Sequence, residues 1–334
     1  MIPGAGRAMG RRTFVATLGG GALLVPRAAA AQAPSRAARI GYLTPSSLAG
    51  GSRLAELRQR LRELGYVDGR DIRFEIRAAN EDYERLPDLA ADLVRSGVDL
   101  IIALSSPAIR AAENATTTIP IVMVSGTDPV AGLFVASLAR PGGNVTGLTT
   151  FLPELAGKRL EVLRECLPGL RRVAVLANLR NPSSAAVARE TEGAARRMGL
   201  ESQVADARLP EQYPDAFGAI VRGGAGAVVV TTDPVLSSHR DRIMQLAARH
   251  RLPAIYEWRE IVEQGGLLAY GPSLAEVTVR LAGYVDRILK GARPADLPVE
   301  RPTRLELAVN LRTAAALKMT IPAAVLSRAD RVIR

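Results

Sequence analysis

Short apolar runs alternate with amphipathic segments from Arg39 onward, and this alternation constrains the fold more than any other feature of the sequence. The apolar runs predict buried strands, and the amphipathic segments predict helices that cover a sheet. In the segment 52–65, leucines recur at spacings of three and four residues, and Gly65 ends the pattern. We interpret the arginines of this predicted helix, Arg53 among them, as solvating its outer face. The whole pattern predicts a parallel sheet with helices on both faces.

The predicted strands form two similar series, separated by a turn-rich junction at 141–144. The first series comprises 39–43, 72–77, 99–104 and 119–125, and the second comprises 172–177, 201–205, 227–231 and 253–256. We therefore predict an α/β fold with two doubly wound parallel-sheet lobes.

Three connections between the lobes are expected, and together they would make a hinge. They are predicted at 147–153, at 269–272, and along the Pro-rich stretch 294–302 that precedes an extended segment, 304–310. The predicted N-terminal lobe comprises 38–148 and 272–300, and the predicted C-terminal lobe comprises 152–270 and 303–334.

Residues 1–31 carry the pattern of a twin-arginine export signal. Arg11 and Arg12 precede a mildly apolar, Gly-rich stretch, which is followed by Arg27 and a run of alanines. The apolar stretch is shorter than the roughly 20 residues that a stable membrane anchor needs. We predict cleavage after Ala31 and a periplasmic location, with no lipid attachment because no cysteine follows.

Composition narrows the possible functions. The single cysteine, Cys166, excludes intramolecular disulfides and multi-cysteine metal sites, and we interpret it as a small buried side chain. The formal charge of +11 includes four arginines of residues 1–31, and the remaining basic residues are scattered among acids without a nucleic-acid module. His239 and His250 are too far apart on one predicted helix to hold one metal ion. We expect no nucleic-acid partner, no metal and no cofactor.

Residues that directly follow strands are the ligand-site candidates, because open parallel α/β sheets bind ligands beyond the carboxyl ends of their strands. Ser106, Asp128, Asn181 and Asp233 each precede a proline at the start of a predicted helix. Side chains at such positions cap helices, and the free N–H groups at the helix start also favour a bound anion. If the lobes face each other, one wall would hold Thr44, Ser46, Ser105, Ser106, Thr127 and Asp128, and the other would hold Asn178, Arg180, Thr232 and Asp233.

Three of the few aromatic residues, Tyr256, Trp258 and Tyr270, lie around the last strand of the second series and a predicted crossing. Each either packs in the core or covers the apolar part of a ligand, and we include Tyr256 and Tyr270 among the site candidates. Glu257 either pairs with a ligand ammonium group or sits in solvent. A small zwitterion would suit this set of side chains.

Motifs for enzymatic chemistry are missing after the export signal: there is no G-x-S-x-G, no G-x-x-x-x-G-K-[ST] and no G-x-G-x-x-G. A hydrolase that used Ser105 or Ser106 would need a base that the sequence does not show. We therefore predict no catalytic residues and no enzymatic activity.

Five segments carry a family resemblance: LRELGYVDG at 61–69, the run from 119 to 149 with SLARPGGNVTG, 239–256, GGLLAYGP at 265–272, and 282–313. On these segments the chain resembles the solute-binding proteins of ABC transporters, in the group with tryptophan- and tyrosine-type members. The resemblance implies a type I periplasmic-binding-protein fold with the ligand between two lobes. It also implies wall positions at Ser105–Pro107, Thr127–Asp128, Asn178, Asp233 and Tyr256.

The expected function is that of a monomeric periplasmic receptor. It would capture a small polar or zwitterionic solute, amino-acid-like or a small carboxylate, and deliver it to a membrane permease and its ATPase. One alternative is a sensor that docks on a signalling kinase, and a less favoured one is a hydrolase that uses a crevice serine. A repressor would need a DNA-reading domain that residues 1–38 are too short to supply.

Overall fold

Residues 36–47, 52–152 and 154–334 are described by the computed structural model of the protein. The predicted export signal and its cleavage site lie outside the described residues, as does Pro153 in the first predicted crossing. Residues 36–334 form one compact unit. Within the described part of the chain, every helix is too short or too polar to cross a membrane.

The first sheet contains five parallel strands in the order β2-β1-β3-β4-β5. These strands are β1 (Ala38–Thr44), β2 (Ile72–Ala78), β3 (Leu100–Leu104), β4 (Ile121–Ser125) and β5 (Val145–Thr149). Successive residues of β3 point to opposite faces, so Ile102 packs into one core cluster and Ile101 into another. Both faces of the sheet are therefore buried, which explains why β3 is apolar throughout.

The second sheet contains seven strands in the order β12-β11-β10-β9-β8-β6-β7. These strands are β6 (Arg172–Ala177), β7 (Glu201–Asp206), β8 (Ala227–Val230), β9 (Ala254–Tyr256), β10 (Leu268–Pro272), β11 (Leu305–Asn310) and β12 (Arg331–Ile333). All neighbours are parallel except β10 and β11, where Leu268 lies opposite Val309 in an antiparallel pair. The sequence predicts a crossing at 269–272 and an extended segment at 304–310, so this antiparallel pair is an addition to the predicted parallel sheet.

Helices cover both faces of each sheet. They are α1 (Ser52–Glu63), α2 (Leu86–Arg95), α3 (Ser106–Ala115), α4 (Glu154–Cys166), α5 (Pro182–Arg197), α6 (Tyr213–Arg222), α7 (Pro234–Ser238), α8 (Arg240–Arg249), α9 (Arg259–Glu263), α10 (Leu274–Leu289), α11 (Leu311–Ala316) and α12 (Ala323–Leu326). On the first sheet, α1 and α10 cover one face, and α2 and α3 cover the other. On the second, α6, α8 and α9 lie opposite α4, α5 and α12. The predicted two-lobed α/β architecture is confirmed.

Two strands occupy segments that the sequence predicts as crossings. The predicted crossing at 147–153 begins inside β5, and 269–272 belongs to β10. Glycine suggests a break in a strand, but in both strands it permits a close approach of two backbones. A Cβ on Gly147 would lie 2.3 Å from the carbonyl oxygen of Met123, and one on Gly271 would lie 2.3 Å from that of Glu257.

The chain passes between the two sheets three times. It crosses between β5 and α4, between β10 and α10, and between Glu300 and β11. The crossing segments are bonded to one another, since Thr149 N donates to Glu300 O and Ser273 N donates to Arg304 O, each at 3.0 Å. The predicted lobe bounds stay a prediction within this topology.

Glu276 of α10 fixes the third crossing. Its carboxylate accepts the backbone N–H groups of Thr303 at 3.3 Å and Arg304 at 3.0 Å. Burial works to raise the pKa of Glu276, but these bonds, the Thr303 hydroxyl and the Arg280 guanidinium together lower it below its ordinary value. The carboxylate therefore stays ionised and holds the crossing to the first lobe.

Candidate ligand-binding site

The carboxyl ends of strands from both sheets meet at one crevice, and side chains of the two lobes touch across it. Ser106, which follows β3, places its Oγ 2.9 Å from the Oγ of Ser183 in α5. A Cβ on Gly126, which follows β4, would lie 2.9 Å from the Cβ of Ser183. The two lobes are therefore in contact across this crevice.

A cavity of about 420 Å³, its opening to solvent included, lies in this crevice. Ser105 lines it from the first lobe, and Thr232 and Trp258 line it from the second. Ser105 Oγ, Thr232 Oγ1 and Trp258 Nε1 are buried, and within the described part of the chain none of the three has a hydrogen-bond partner. Buried polar atoms in proteins are almost always paired, so three unpaired atoms around one cavity indicate a site for a polar ligand.

Ser105 is also strained. Its φ is 85° and its ψ is 153°, a backbone conformation that is essentially restricted to glycine. Ser105 precedes the first residue of α3, yet its side chain makes no capping bond to the helix. A strained residue with a free, buried hydroxyl is more typical of a functional position than of a helix cap.

Arg53 in the first turn of α1 faces the crevice. It lines the cavity, and its guanidinium carbon lies 5.6 Å from the ring centroid of Trp258 in the other lobe. The interpretation that Arg53 solvates an outer face is therefore wrong. Among the described residues, no carboxylate lies within 4.0 Å of this guanidinium, so its charge is available to an anion.

Glu257 and Arg159 add one charge of each sign to the second lobe. Both line a smaller adjoining space, and both are almost completely buried, at 5% and 3% exposure. Arg159 Nε donates to Tyr270 O at 2.8 Å, and its Nη2 lies 3.9 Å from Glu257 Oε2. Burial raises the pKa of Glu257, against the opposing effect of the Arg159 and Arg53 charges. Glu257 is therefore not in solvent, and a cation beside it would favour its charged form.

Thr44 and Ser46 lie at the end of β1, where they border a larger space of about 1050 Å³, open to solvent, that shares Arg53 and Trp258 with the central cavity. The hydroxyl oxygens of Thr44 and Ser46 are 3.0 Å apart and bond to each other. These two predicted residues therefore lie on the same side of the crevice as Arg53.

Four predicted residues lie together in a wide groove between α3 and α5: Ser106, Thr127, Asp128 and Arg180. Asp128 Oδ1 accepts the N–H of Val130 at 2.9 Å, so it caps a turn and not the predicted helix. Arg180 pairs with Glu84 of the first lobe. The structure thus separates these four residues from the cavity that Ser105 lines.

Asp233 and Asn178 are committed to contacts within the protein. Asp233 is completely buried, and its Oδ1 accepts two backbone N–H groups of α7 at 2.9 Å. Its Oδ2 accepts Tyr83 Oη at 2.7 Å and Asn181 Nδ2 at 2.8 Å, and Asn178 Nδ2 lies 3.3 Å from Tyr83 Oη. Burial raises the pKa of Asp233, and these hydrogen bonds oppose that shift. Donors of the protein occupy the acceptor positions of the Asp233 carboxylate, so few positions are left for a ligand.

The two candidate tyrosines lie mainly in the core. Tyr256 packs among the side chains under α6 and α8, although it borders a narrow space beside Trp258. Tyr270 packs against the cluster on the opposite face of the sheet. Of the three aromatic residues near β9 and β10, Trp258 is the one on the central cavity wall.

The residues considered for catalysis have other roles. Cys166 is buried in α4, and burial raises its pKa to about 11, so the thiol stays protonated at neutral pH. The Ser106 hydroxyl bonds to the hydroxyls of Thr127 and Ser183, and neither is a base. No group of His, Cys, Asp and Glu in the described ranges is placed to hold a metal ion.

Three residues that the sequence does not predict as site residues have important places in the crevice. Arg53 carried a usable signal, because it lies in the first turn after β1, at the sheet edge where ligands bind. Arg159 lies in α4, and nothing in the pattern of that helix predicts an arginine on its buried face. Tyr83 follows β2 in a segment without periodicity, and its partner Asp233 is 150 residues away in sequence.

Known proteins are similar to this chain over most of its length. A family model described as ABC transporter substrate binding protein matches residues 53–333. A tyrosine-binding protein of Clostridioides difficile (strain R20291) is 28% identical over 259 residues, which cover 78% of this chain and 74% of the relative.

Two solved structures share the fold. The ABC domain in complex with L-Trp from Streptococcus pneumoniae is 25% identical, with a TM-score of 0.80 and coverage of 89% of this chain and 100% of that one. The ligand-free, open structure of a substrate binding protein with adhesive properties from Clostridium difficile is also 25% identical, with a TM-score of 0.61 and coverage of 89% and 99%.

Proposed function

Because the chain belongs to the family of ABC transporter substrate-binding proteins, we propose that it is the periplasmic receptor of an importer and binds an amino acid in its crevice. It would deliver this solute unchanged to a membrane permease that an ATPase drives. The export signal predicted for residues 1–31 supports the periplasmic location.

The observation that carries the proposal is the convergence of unpaired polar groups on one cavity. Ser105 Oγ, Thr232 Oγ1 and Trp258 Nε1 are buried without partners there. An indole N–H is only a donor, so the ligand must offer it an acceptor. Arg53, which has no carboxylate partner among the described residues, lines the same cavity and supplies positive charge. These features together fit a carboxylate.

Glu257 supplies the opposite charge, which it shares with Arg159, whose Nη2 lies 3.9 Å from Glu257 Oε2. It lies in the second lobe, follows β9, and borders the space next to the central cavity through Thr232. A ligand ammonium group would bond to this carboxylate and would offset its burial. A cationic site and an anionic site in adjoining spaces match the two charges of an α-amino acid. The relatives described as tyrosine-binding and as an L-Trp complex agree with this ligand class.

Closure of the lobes follows from the placement of these groups. Arg53 and Ser105 belong to the first lobe, whereas Trp258 and Glu257 belong to the second. A ligand that contacts both walls binds the closed form more tightly than the open form, and only such a difference in affinity shifts the population. The closed form is then the signal that the permease reads.

A thermal-shift screen of residues 32–334 against the proteinogenic amino acids, their deaminated acids and small carboxylates tests the proposal. A ligand at 100 times its dissociation constant adds about 2.7 kcal/mol to the free energy of unfolding. We expect amino-acid hits that disappear in Arg53→Ala. The matched control is Arg62→Ala, an exposed arginine at the far end of the same helix, which should keep the shift. Equal responses of both variants, or no hit in the panel, would contradict the proposal.

A further inference from the structure

A short segment of the first lobe, residues 80–85, contacts the second lobe through three side chains. Glu81 Oε1 lies 2.6 Å from His239 Nε2, Tyr83 Oη donates to Asp233 Oδ2 at 2.7 Å, and Glu84 pairs with Arg180. We call residues 80–85 the latch segment. Tyr83 borders the wide groove between α3 and α5, and Glu81, Tyr83 and Glu84 do not line the central cavity.

The latch segment is held in shape by the first lobe alone. Asn80 and Glu81 have φ values of 51° and 72°, which turn the chain sharply after β2. Glu81 N donates to Pro45 O at 2.7 Å, and the Asp82 side chain accepts Glu84 N at 3.1 Å. Tyr83 is therefore presented to the second lobe at little cost in conformational entropy.

The bond between Tyr83 and Asp233 is the strongest candidate among these contacts. Asp233 is completely buried and accepts hydrogen bonds on both oxygens, so water does not compete for its bond to Tyr83. Removal of one partner of a buried hydrogen bond costs more than the net value of the bond, because the other partner loses its bond without regaining water. Opening of the lobes would separate the Tyr83 hydroxyl from this carboxylate, because the two residues belong to different lobes.

We propose that Tyr83 is a positioning residue that holds the lobes closed in the absence of solute. The free receptor then populates the closed form to a measurable extent, and the solute has less of the closing free energy to supply. This inference concerns the lobes alone and does not depend on the identity of the solute.

Spin-label distances in the solute-free protein test the inference. Labels at Arg62→Cys in α1 and Arg222→Cys in α6 report the separation of the lobes, in a Cys166→Ala background that removes the native thiol. The test variant is Tyr83→Phe, which deletes one hydroxyl. The matched control is Tyr66→Phe, whose hydroxyl donates to Asp286 at 2.9 Å, a bond within the first lobe.

We expect a short-distance population in the otherwise unchanged protein and in the Tyr66 variant. In Tyr83→Phe the ratio of closed to open molecules should fall about tenfold or more. Glu81→Gln should shift the ratio in the same direction but to a smaller extent than Tyr83→Phe. It provides a second, independent variant of the latch segment. The proposal would be overturned if the solute-free protein showed long distances alone. It would also be overturned if neither Tyr83→Phe nor Glu81→Gln shifted the ratio of closed to open molecules. Because no solute is present, these outcomes are independent of whether an amino acid binds.

Discussion

Replacement of Ser105 by glycine should make the solute-free protein more stable and its binding weaker. The φ of 85° and ψ of 153° store strain on the order of 1–3 kcal/mol in a residue with a Cβ. Glycine removes this strain, although its larger freedom in the unfolded chain costs about 0.5–1 kcal/mol. Loss of the unpaired, buried hydroxyl adds a further gain. The net increase in the free energy of unfolding should be about 1–2 kcal/mol.

The affinity should change in the opposite direction. A neutral hydrogen bond from Ser105 to the ligand contributes about 0.5–1.5 kcal/mol, so its loss should weaken binding by roughly twofold to tenfold. The matched control is Ser105→Ala, which deletes the same hydroxyl but keeps the Cβ and the strain. The affinity for the ligand should fall by the same factor in both variants. The full increase in the free energy of unfolding should occur only in the glycine variant.

Urea unfolding of the solute-free proteins and calorimetric titration with the amino acid found by screening measure the two quantities. A glycine variant no more stable than the alanine variant would show that Ser105 is not strained. Unchanged affinity in both variants would show that the hydroxyl does not meet the ligand, and the reasoning from unpaired atoms would be refuted at this position.

Three further predictions follow from other parts of the crevice and hinge. Glu257→Gln should weaken the binding of an amino acid about tenfold or more, yet it should barely change the affinity for the matching acid without the ammonium group. Calorimetric titration with the two ligands measures both affinities. Glu276 has a lowered pKa in the folded protein, so its stabilising effect is present above the unfolded pKa and is lost as the pH falls through the folded value. Glu276→Gln should therefore flatten the acid limb of the stability curve measured by urea unfolding, and an unchanged limb would contradict this. Gly147→Ala would place a Cβ 2.3 Å from Met123 O, so it should lower the melting temperature by several degrees, and an unchanged value would show that β5 can move away.

The fold was largely predictable, because burial on both faces of a sheet leaves continuous apolar runs in the sequence. β3 and β6 are such runs, and they were located within a residue. β5 and β10 lie in segments that the sequence predicts as crossings, and each contains a glycine that permits a long-range contact between backbones. Local patterns carry no information on such a contact.

The site was predictable only in part. The rule that ligands bind beyond the carboxyl ends of strands selects residues that the structure places at the crevice, such as Ser105, Thr44 and Ser46, and their role in binding stays a prediction. Helical periodicity identifies the apolar face of α1 but does not reveal that the other lobe covers Arg53 on its polar face. Tyr83 and Asp233 belong to different lobes and lie 150 residues apart in sequence, and no local pattern encodes their contact.

The most direct test of the proposed amino-acid site is a calorimetric comparison of three related ligands on residues 32–334: the amino acid that binds best, its amine without the carboxylate, and its acid without the ammonium group. Both charges of the ligand contact the crevice in our account, through Arg53 and Glu257, so each analogue should bind at least about tenfold more weakly. The amino acid should also be recovered chemically unchanged. Equal affinity of either analogue, or conversion of the bound compound to a product, would contradict the account.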